Sequence, residues 1–304
     1  MNVPTENIDI KYLISSEADQ LWGMTVNNVG FQTIPAGSEY PPKNHPSGYY
    51  FNFDKGRTLP EYQLLYITDG HGIFSSTEIS ATNIQSGSLF LLFPGHWHTY
   101  RPDAKSGWKE YYIGFSGKMA DQLADMDFIS PQRPILNVGI NEEIVRLFRS
   151  AIDTAKADKI GSQQLLSGIV MHILGIALSI TKNKVFEDDL LDQKIERAKI
   201  IMREKLLEDI DLEQLASQLN LSYSWFRKIF KEYTGFSPAK YFQELKIQKA
   251  KELLTYTNKP IKEISIILHY ESAEHFSTLF KKINHLTPLE YRHFGQQNMP
   301  EESV

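Results

Sequence analysis

Three features of the sequence predict a multidomain α and β chain, with a β-barrel and following helices in its N-terminal part and an all-α C-terminal domain carrying two helix-turn-helix motifs. Residues 211–292 are written twice. Leu212, Leu215, Ala216, Leu219, Asn220 and Leu221 overlie Ile261, Ile264, Ser265, Leu268, His269 and Tyr270 at an offset of 49; one inserted residue then brings Phe226, Phe230, Pro238 and Tyr241 onto Phe276, Phe280, Pro288 and Tyr291. Residues 21–117 are short β-rich runs with many aromatics and Gly or Pro between them, the pattern of a sandwich or barrel. Residues 141–182 carry apolar side chains at helical spacing.

Taken in order, residues 1–20 are polar and carry no pattern. Residues 62–67 read as a strand, 69–72 (Asp-Gly-His-Gly) as a hairpin turn, 87–93 as a strand ending at Pro94-Gly95, and 108–115 as another. Aromatics crowd this half: Tyr49, Tyr50, Phe51, Phe53, Tyr62, Tyr66, Trp97, Tyr100, Trp108, Tyr111 and Tyr112. A barrel core accounts for most of them, and the polar tips of Tyr and Trp also suit a polyol ligand. Residues 118–140 connect, with Pro131 and Pro134 keeping helix out. Residues 141–156 form a helix with Ile144, Leu147, Phe148 and Ile152 on one side. Residues 161–182 form a second, with Leu165, Leu166, Ile169, Ile173, Ile176 and Ile180 in one stripe and Val170, Leu174 and Ala177 on its other side. The run 165–180 is short for a membrane span and is broken by Ser167, Gly168 and His172, so it reads as a buried helix. The boundaries expected are 1–118 for the barrel, 119–182 for a helical segment, 183–190 for a linker and 191–304 for the helical domain. Within that domain, Ile195, Ala198, Met202 and Leu206 face the first repeat, and the tail after Phe294 is loose.

Each repeat has helix-turn-helix spacing, over about 211–235 and 260–284. Asn220 stands in the first turn, where a left-handed conformation is tolerated. The helix after each turn has two faces. Phe226, Ile229, Phe230 and Tyr233 form the buried stripe of the first, with Ser224, Arg227, Lys228 and Lys231 opposite. Phe276, Leu279, Phe280 and Ile283 form that of the second, with Glu274, Ser277, Thr278 and Lys281 opposite. Ser222 and Ser272 cap these helices, Ser237 and Thr287 the ones that follow, and Thr287 with Glu290 makes a capping box. Two such units joined by a helix suit a reader of two successive major grooves in double-stranded DNA.

Net charge is −5, yet residues 190–304 hold 17 Lys and Arg against 16 Asp and Glu, while the rest holds 15 against 21. The basic signal is local: residues 222–235 carry +2 and residues 271–284 carry zero. The absence of cysteine removes disulfides and thiolate chemistry and fits a reducing cytosol. The N-terminus has no secretory pattern. A cytoplasmic protein is expected.

The runs 211–216, 230–238, 246–254, 261–264 and 280–292 resemble the DNA-binding domain of the AraC/XylS family of transcription regulators. The runs 57–70 and 87–102 resemble the cupin-type effector domain at the N-terminus of many of its members. The resemblance implies a cupin-like barrel that binds a small-molecule effector, helices that pair two subunits, and positions 224, 227 and 228 facing base edges. It implies a transcription activator acting as a homodimer, with RNA polymerase a further partner, and no enzyme. The expected DNA-binding set is Ser222, Ser224, Arg227, Lys228, Lys231, Ser272, Glu274, Ser277, Thr278 and Lys281. Arg57, Tyr66, His98 and Tyr112 are expected to line the effector site, which a sugar or similar polar metabolite would occupy. Leu165, Leu166, Ile169, Ile173 and Ile176 are expected to pair subunits. Two departures stand out: His269 and His285 occupy turn positions where the family usually has Gly. Gly87, Gly95 and His98 also match the second motif of metal-binding cupins, but residues 62–70 contain no His for the first. One His cannot hold a catalytic metal, so no metal or cofactor is expected. His98 is either a pocket wall or a satisfied core residue. The rival reading, a metal-dependent cupin isomerase or dioxygenase with a helical appendage, lacks that ligand set.

Overall fold

The computed structural model describes residues 8–40, 52–184 and 189–297. Tyr49, Tyr50 and Phe51, the middle of the expected linker at 185–188 and the tail at 298–304 lie outside the described residues. The chain divides into two compact units, Met1–Val185 and Phe186–Val304.

The N-terminal unit is built on antiparallel strands: β1 (Ile8–Tyr12), β2 (Thr25–Ile34), β3 (Tyr62–Ser76), β4 (Thr82–Gln85), β5 (Ser88–Leu92), β6 (His98–Pro102), β7 (Trp108–Ser116) and β8 (Ile135–Asn137). Their order is β1-β2-β7-β3-β5-β8, with β4 and β6 pairing on the far half of β3. The helices of the unit are α1 (Glu17–Leu21), α2 (Lys118–Asp125), α3 (Glu142–Ala157) and α4 (Ser162–Lys184). The long β3 corrects one expectation. Residues 69–72 are not a hairpin turn; they lie inside the strand, where its register against β7 shifts between Ile67 and Asp69. Gly70 takes φ +83° there, and a Cβ would stand 2.1 Å from the Gly107 carbonyl oxygen. The glycines bend the strand instead of reversing it, and the bend lets one strand serve both sides of the barrel.

Alternation along the strands separates two cores. Tyr62, Leu64, Tyr66, Tyr111, Ile113 and Phe115 pack outward against α3 and α4, through Ile144, Phe148, Leu166, Val170, Ile173 and Leu174. Leu65, Ile67, Phe90, Leu92, Trp108 and Tyr112 point inward with Phe74, Ile84 and Tyr100. The helices expected as a separate segment thus share a core with the sheet. At the β2 bulge between Val26 and Asn28, the buried Gln163 amide of α4 accepts from the Val26 N–H at 2.9 Å and donates to its carbonyl at 3.0 Å.

The C-terminal unit is helical: α5 (Asp189–Glu204), α6 (Leu212–Gln218), α7 (Tyr223–Thr234), α8 (Pro238–Tyr256), α9 (Ile261–Ile267), α10 (Ala273–Asn284) and α11 (Pro288–Gln297). Ile195, Ala198, Met202, Leu215, Ala216, Phe226, Ile229 and Phe230 form one core. Ile264, Leu268, Phe276 and Phe280 form the other. α8 enters both, giving Phe242 to the first and Ile247, Ala250 and Leu254 to the second, so one helix is the spine of both repeats.

Candidate nucleic-acid interface and effector cavity

The repeat holds down to single hydrogen bonds. Leu221 N–H donates to the Ala216 carbonyl at 3.0 Å, and Tyr270 N–H to the Ser265 carbonyl at 2.9 Å. Asn220 and His269 between them sit at φ +54° and +52°. At the ends of α7 and α10, Gly235 (φ +79°) and His285 (φ +62°) donate to the carbonyls of Lys231 and Lys281, both at 2.8 Å. Histidine therefore stands in a left-handed conformation at both departures from glycine, and each costs roughly 1 kcal/mol relative to glycine. Ser222 and Ser272 accept from the N–H groups of Trp225 and His275. Ser237 caps α8, and Thr287 and Glu290 close the capping box.

On α7, Ser224, Arg227, Lys228 and Lys231 are all exposed, opposite buried Phe226, Ile229 and Phe230. Two aromatics that sequence reasoning passed over lie among them. The Arg227 guanidinium lies 5.8 Å from the centre of the Tyr223 ring, and the Lys228 ammonium 5.6 Å from that of Trp225, which is 45 % exposed. Elsewhere in the unit lysines are tied to carboxylates, as in Lys240–Glu244 and Lys249–Glu252. Arg227 and Lys228 are instead steadied by ring faces that leave their charge uncancelled. α10 differs. Glu274, Thr278 and Lys281 are exposed, but the Ser277 hydroxyl donates back to the Ala273 carbonyl at 2.7 Å. The Glu274 carboxylate is held below the usual carboxylate range by its own backbone N–H and by Ser272, with Lys262 adding to this. It sits in the first turn of α10, where a negative charge meets the positive helix end.

Inside the N-terminal unit, polar side chains share the inward face with the apolar core. Gln32 stands opposite Glu110 across β2 and β7, and Gly30 opposite Tyr112. Glu110 is 1 % exposed and accepts from the Gln32 amide. Burial raises its carboxyl to about 7, against the opposing hydrogen bond from Gln32 and the nearby charge of Arg57. Buried Glu61 accepts from Asn28 at 2.8 Å and Gln63 at 2.9 Å, and from Asn27. Gly114 makes this meeting possible, since a Cβ there would lie 2.3 Å from the Asn28 amide nitrogen. A small cavity of about 20 Å³, room for roughly one water, is lined by Tyr12, Asn28, Gln32, Arg57, Gln63, Leu65, Tyr100, Glu110 and Tyr112.

Of the four effector residues expected, Arg57 and Tyr112 line this cavity. His98 stands behind Arg57, 1 % exposed. Its Nδ1 donates to the His96 carbonyl and its Nε2 accepts from Arg57 Nε at 3.4 Å, so it is the neutral tautomer. Burial, with Arg57 beside it, lowers its pKa to about 4. Tyr66 is the correction. Strand parity turns it to the outer face, where its hydroxyl donates to the Gly139 carbonyl at 2.8 Å, accepts from Asn141 N–H at 2.9 Å, and its ring stacks on Phe148. The missed Glu110 was within reach of the same rule: Trp108, Glu110 and Tyr112 alternate onto one face. Among the described residues no three His, Asp or Glu side chains gather as a metal site would require.

The α4 expectations divide as well. Leu166 and Ile173 cannot face a partner, because both are completely buried against the sheet. Leu165 is 63 % exposed, with Ile169 and Ile176 half-buried beside it and nothing near the missing side chains of Gly168 and Gly175. By length and composition the helix could cross a membrane, with a mean hydropathy of 1.7 over an 18-residue stretch within Ser162–Asn183; here its Leu166–Ala177 face packs on protein.

Comparison with known proteins adds two kinds of likeness. A family model described as an AraC-like ligand binding domain matches residues 38–174, and one described as a helix-turn-helix domain matches residues 215–293. The MmsAB operon regulatory protein of Pseudomonas aeruginosa is 26 % identical over 76 % of this chain and 75 % of its own length. The lactose operon transcription activator of Staphylococcus xylosus is 26 % identical over 75 % of the chain and 82 % of its own. The raffinose operon transcriptional regulatory protein of Pediococcus pentosaceus is 24 % identical over 78 % and 87 %.

Proposed function

Since the chain belongs to the AraC-type transcription regulators, with a ligand-binding domain and a helix-turn-helix domain, we propose that it is a cytoplasmic sensor of a small polar metabolite that reads two successive major grooves with α7 and α10. It is a DNA-binding regulator and not an enzyme. The observation that carries the two-groove reading is the backbone identity of the two repeats on the shared spine α8, each presenting a capped, exposed helix. α7 is the stronger reader, because its cations can donate to guanine O6 and N7. A sugar effector is supported by the lactose and raffinose operons named for two relatives, and polar side chains such as Gln32 and Glu110 stand on the inward face of the barrel. A homodimer through the outer face of α4 is supported by Leu165, Ile169 and Ile176 around two bare glycines. The test is selection of bound duplexes from a random-sequence pool, then titration of the selected duplex over a salt series. Two separated preferred half-sites about ten base pairs apart, with affinity falling steeply with salt, fit the reading. A single short preference would overturn it.

A further inference from the structure

Four of the aromatic side chains on α7, Tyr223, Phe226, Phe230 and Tyr233, pack in the core of the first repeat; Trp225 does not. Trp225 is 45 % exposed, and its ring contact is with the Lys228 ammonium, 5.6 Å from the ring centre. Among the described residues its indole N–H donates to no protein acceptor, whereas that of Trp97 donates to the Lys55 carbonyl at 2.8 Å. The Ser222 cap fixes its backbone in the first turn, accepting from the Trp225 N–H at 3.4 Å. At about 100° per residue, Ser224, Arg227, Lys228 and Lys231 fan over one side of α7, and Trp225 stands at the flank, about 60° beyond Lys228. On the opposite flank Tyr223 holds Arg227 but is itself packed against the core. The second repeat has no counterpart. His275 holds the matching place on α10, where its ring meets Tyr270 edge-on at 6.0 Å and its Nδ1 stands 3.9 Å from Glu271.

We propose that Trp225 is a contact to the DNA backbone: its indole lies against the sugar–phosphate wall of the groove that α7 enters, and Nε1–H donates to one phosphate oxygen. This rests on the reading of α7 as a groove reader given above. A helix with its side chains is about 10–12 Å wide and the major groove about 12 Å. The centre of the polar stripe therefore meets base edges, and a side chain on the flank meets a wall. The chemistry matches, because an indole N–H only donates and a phosphate oxygen only accepts. Contacts of this kind set how a helix sits in the groove and carry no sequence information. Trp225 thus fixes the placement of α7 and leaves the reading of bases to Arg227 and Lys228. His275, turned to Tyr270 and Glu271, gives α10 no such anchor.

The experiment uses the full chain and the duplex selected by the wild type. Each phosphate flanking one half-site, the one whose preference Arg227→Ala relaxes, is replaced in turn by a neutral methylphosphonate. Wild type, Trp225→Phe and Trp225→Leu are titrated at fixed salt and over a salt series, and melting curves show that each variant is folded. On the unmodified duplex both variants should lose affinity about tenfold, the worth of a hydrogen bond to a charged group. At one phosphate, replacement should weaken the wild type about tenfold more than it weakens Trp225→Phe. Base preference and salt slope should stay those of the wild type, since Trp225 carries no charge and touches no base. Equal losses at every phosphate overturn the proposal, as does wild-type affinity in Trp225→Phe or a changed base preference. A wild type that selects no duplex overturns the two-groove reading and this contact with it. Two half-sites without that difference at any phosphate overturn this contact alone.

Discussion

Glu110 and His98 make the N-terminal unit's stability depend on pH in opposite senses. Glu110, raised from 4.5 to about 7, holds a proton in the folded state that the unfolded chain has already lost. Its stabilising contribution is complete below about 4.5 and is lost as pH rises through 7. His98, lowered from 6.5 to about 4, acts the other way: its contribution is present above 6.5 and lost as pH falls through 4. The two slopes oppose between 4.5 and 6.5, so the Glu110 slope stands alone from 6.5 to 8. Glu110→Gln should flatten that slope and raise stability at pH 8, by ~3 kcal/mol at most. Denaturant unfolding of wild type and variant at pH 6.5 and 8 decides it, and identical slopes would refute the assignment. In the other unit, Arg227→Ala or Lys228→Ala should abolish most specific binding, at about 1–3 kcal/mol each, with base preference relaxed in one half-site. Glu274→Ala should keep or raise total affinity while preference is lost in the other. Titrations on one duplex at fixed salt test this, and equal losses from Lys228→Ala and Glu274→Ala would refute the asymmetry.

Helices α7 and α10 have the same length and the same caps, yet differ at their C-terminal stops. Gly235 accepts a left-handed conformation without steric cost, whereas His285 takes it with its Cβ crowding the backbone. His285 is exposed, so exchanging it disturbs no core. His285→Gly should therefore stabilise the C-terminal unit by ~1 kcal/mol in denaturant unfolding. A neutral or destabilising result would mean that the imidazole makes a compensating contact. At the other turn His269 is braced: its carbonyl accepts from Lys246 at 3.4 Å and its ring lies 3.5 Å from Asp209. That brace joins the second repeat both to the spine α8 and to the segment before α6, which limits the loosening that two missing glycines would otherwise bring.

For the whole molecule, the proposed pairing covers the outer face of α4 with a second copy. Leu165→Glu with Ile169→Glu then places charges in that contact and should yield folded monomers. Ile173→Glu gives a different outcome, because Ile173 lies wholly inside the core shared with β2 and β7. That variant should lose the folded N-terminal unit altogether. Sedimentation velocity and circular dichroism at micromolar concentration separate the two, and a wild type that sediments as a monomer refutes the pairing.

The sequence by itself determined the C-terminal half almost completely. Helical order there is local: caps such as Ser222 and Ser272, the left-handed turns at Asn220 and His269, and the stripe ending in Phe230 are each settled within one or two turns of chain. Exposure of Arg227, Lys228 and Glu274 followed from the same periodicity. In the N-terminal half the strands at 62–67, 87–93 and 108–115 were legible. The edge strands β1 and β8 and the short helices α1 and α2 were not, since each is held by distant partners and not by its own pattern. Only the tertiary structure decided that Gly70 bends a continuous strand, because the close approach of Gly107 is not written near it. It also decided which side of α4 is inside, since a helix apolar all round carries no mark of the face its sheet will cover. The cavity belongs to the same class. Gln32 and Glu110 lie far apart in the chain and meet because strand pairing sets their register, and a buried carboxylate reads as an ordinary surface charge until that register is known.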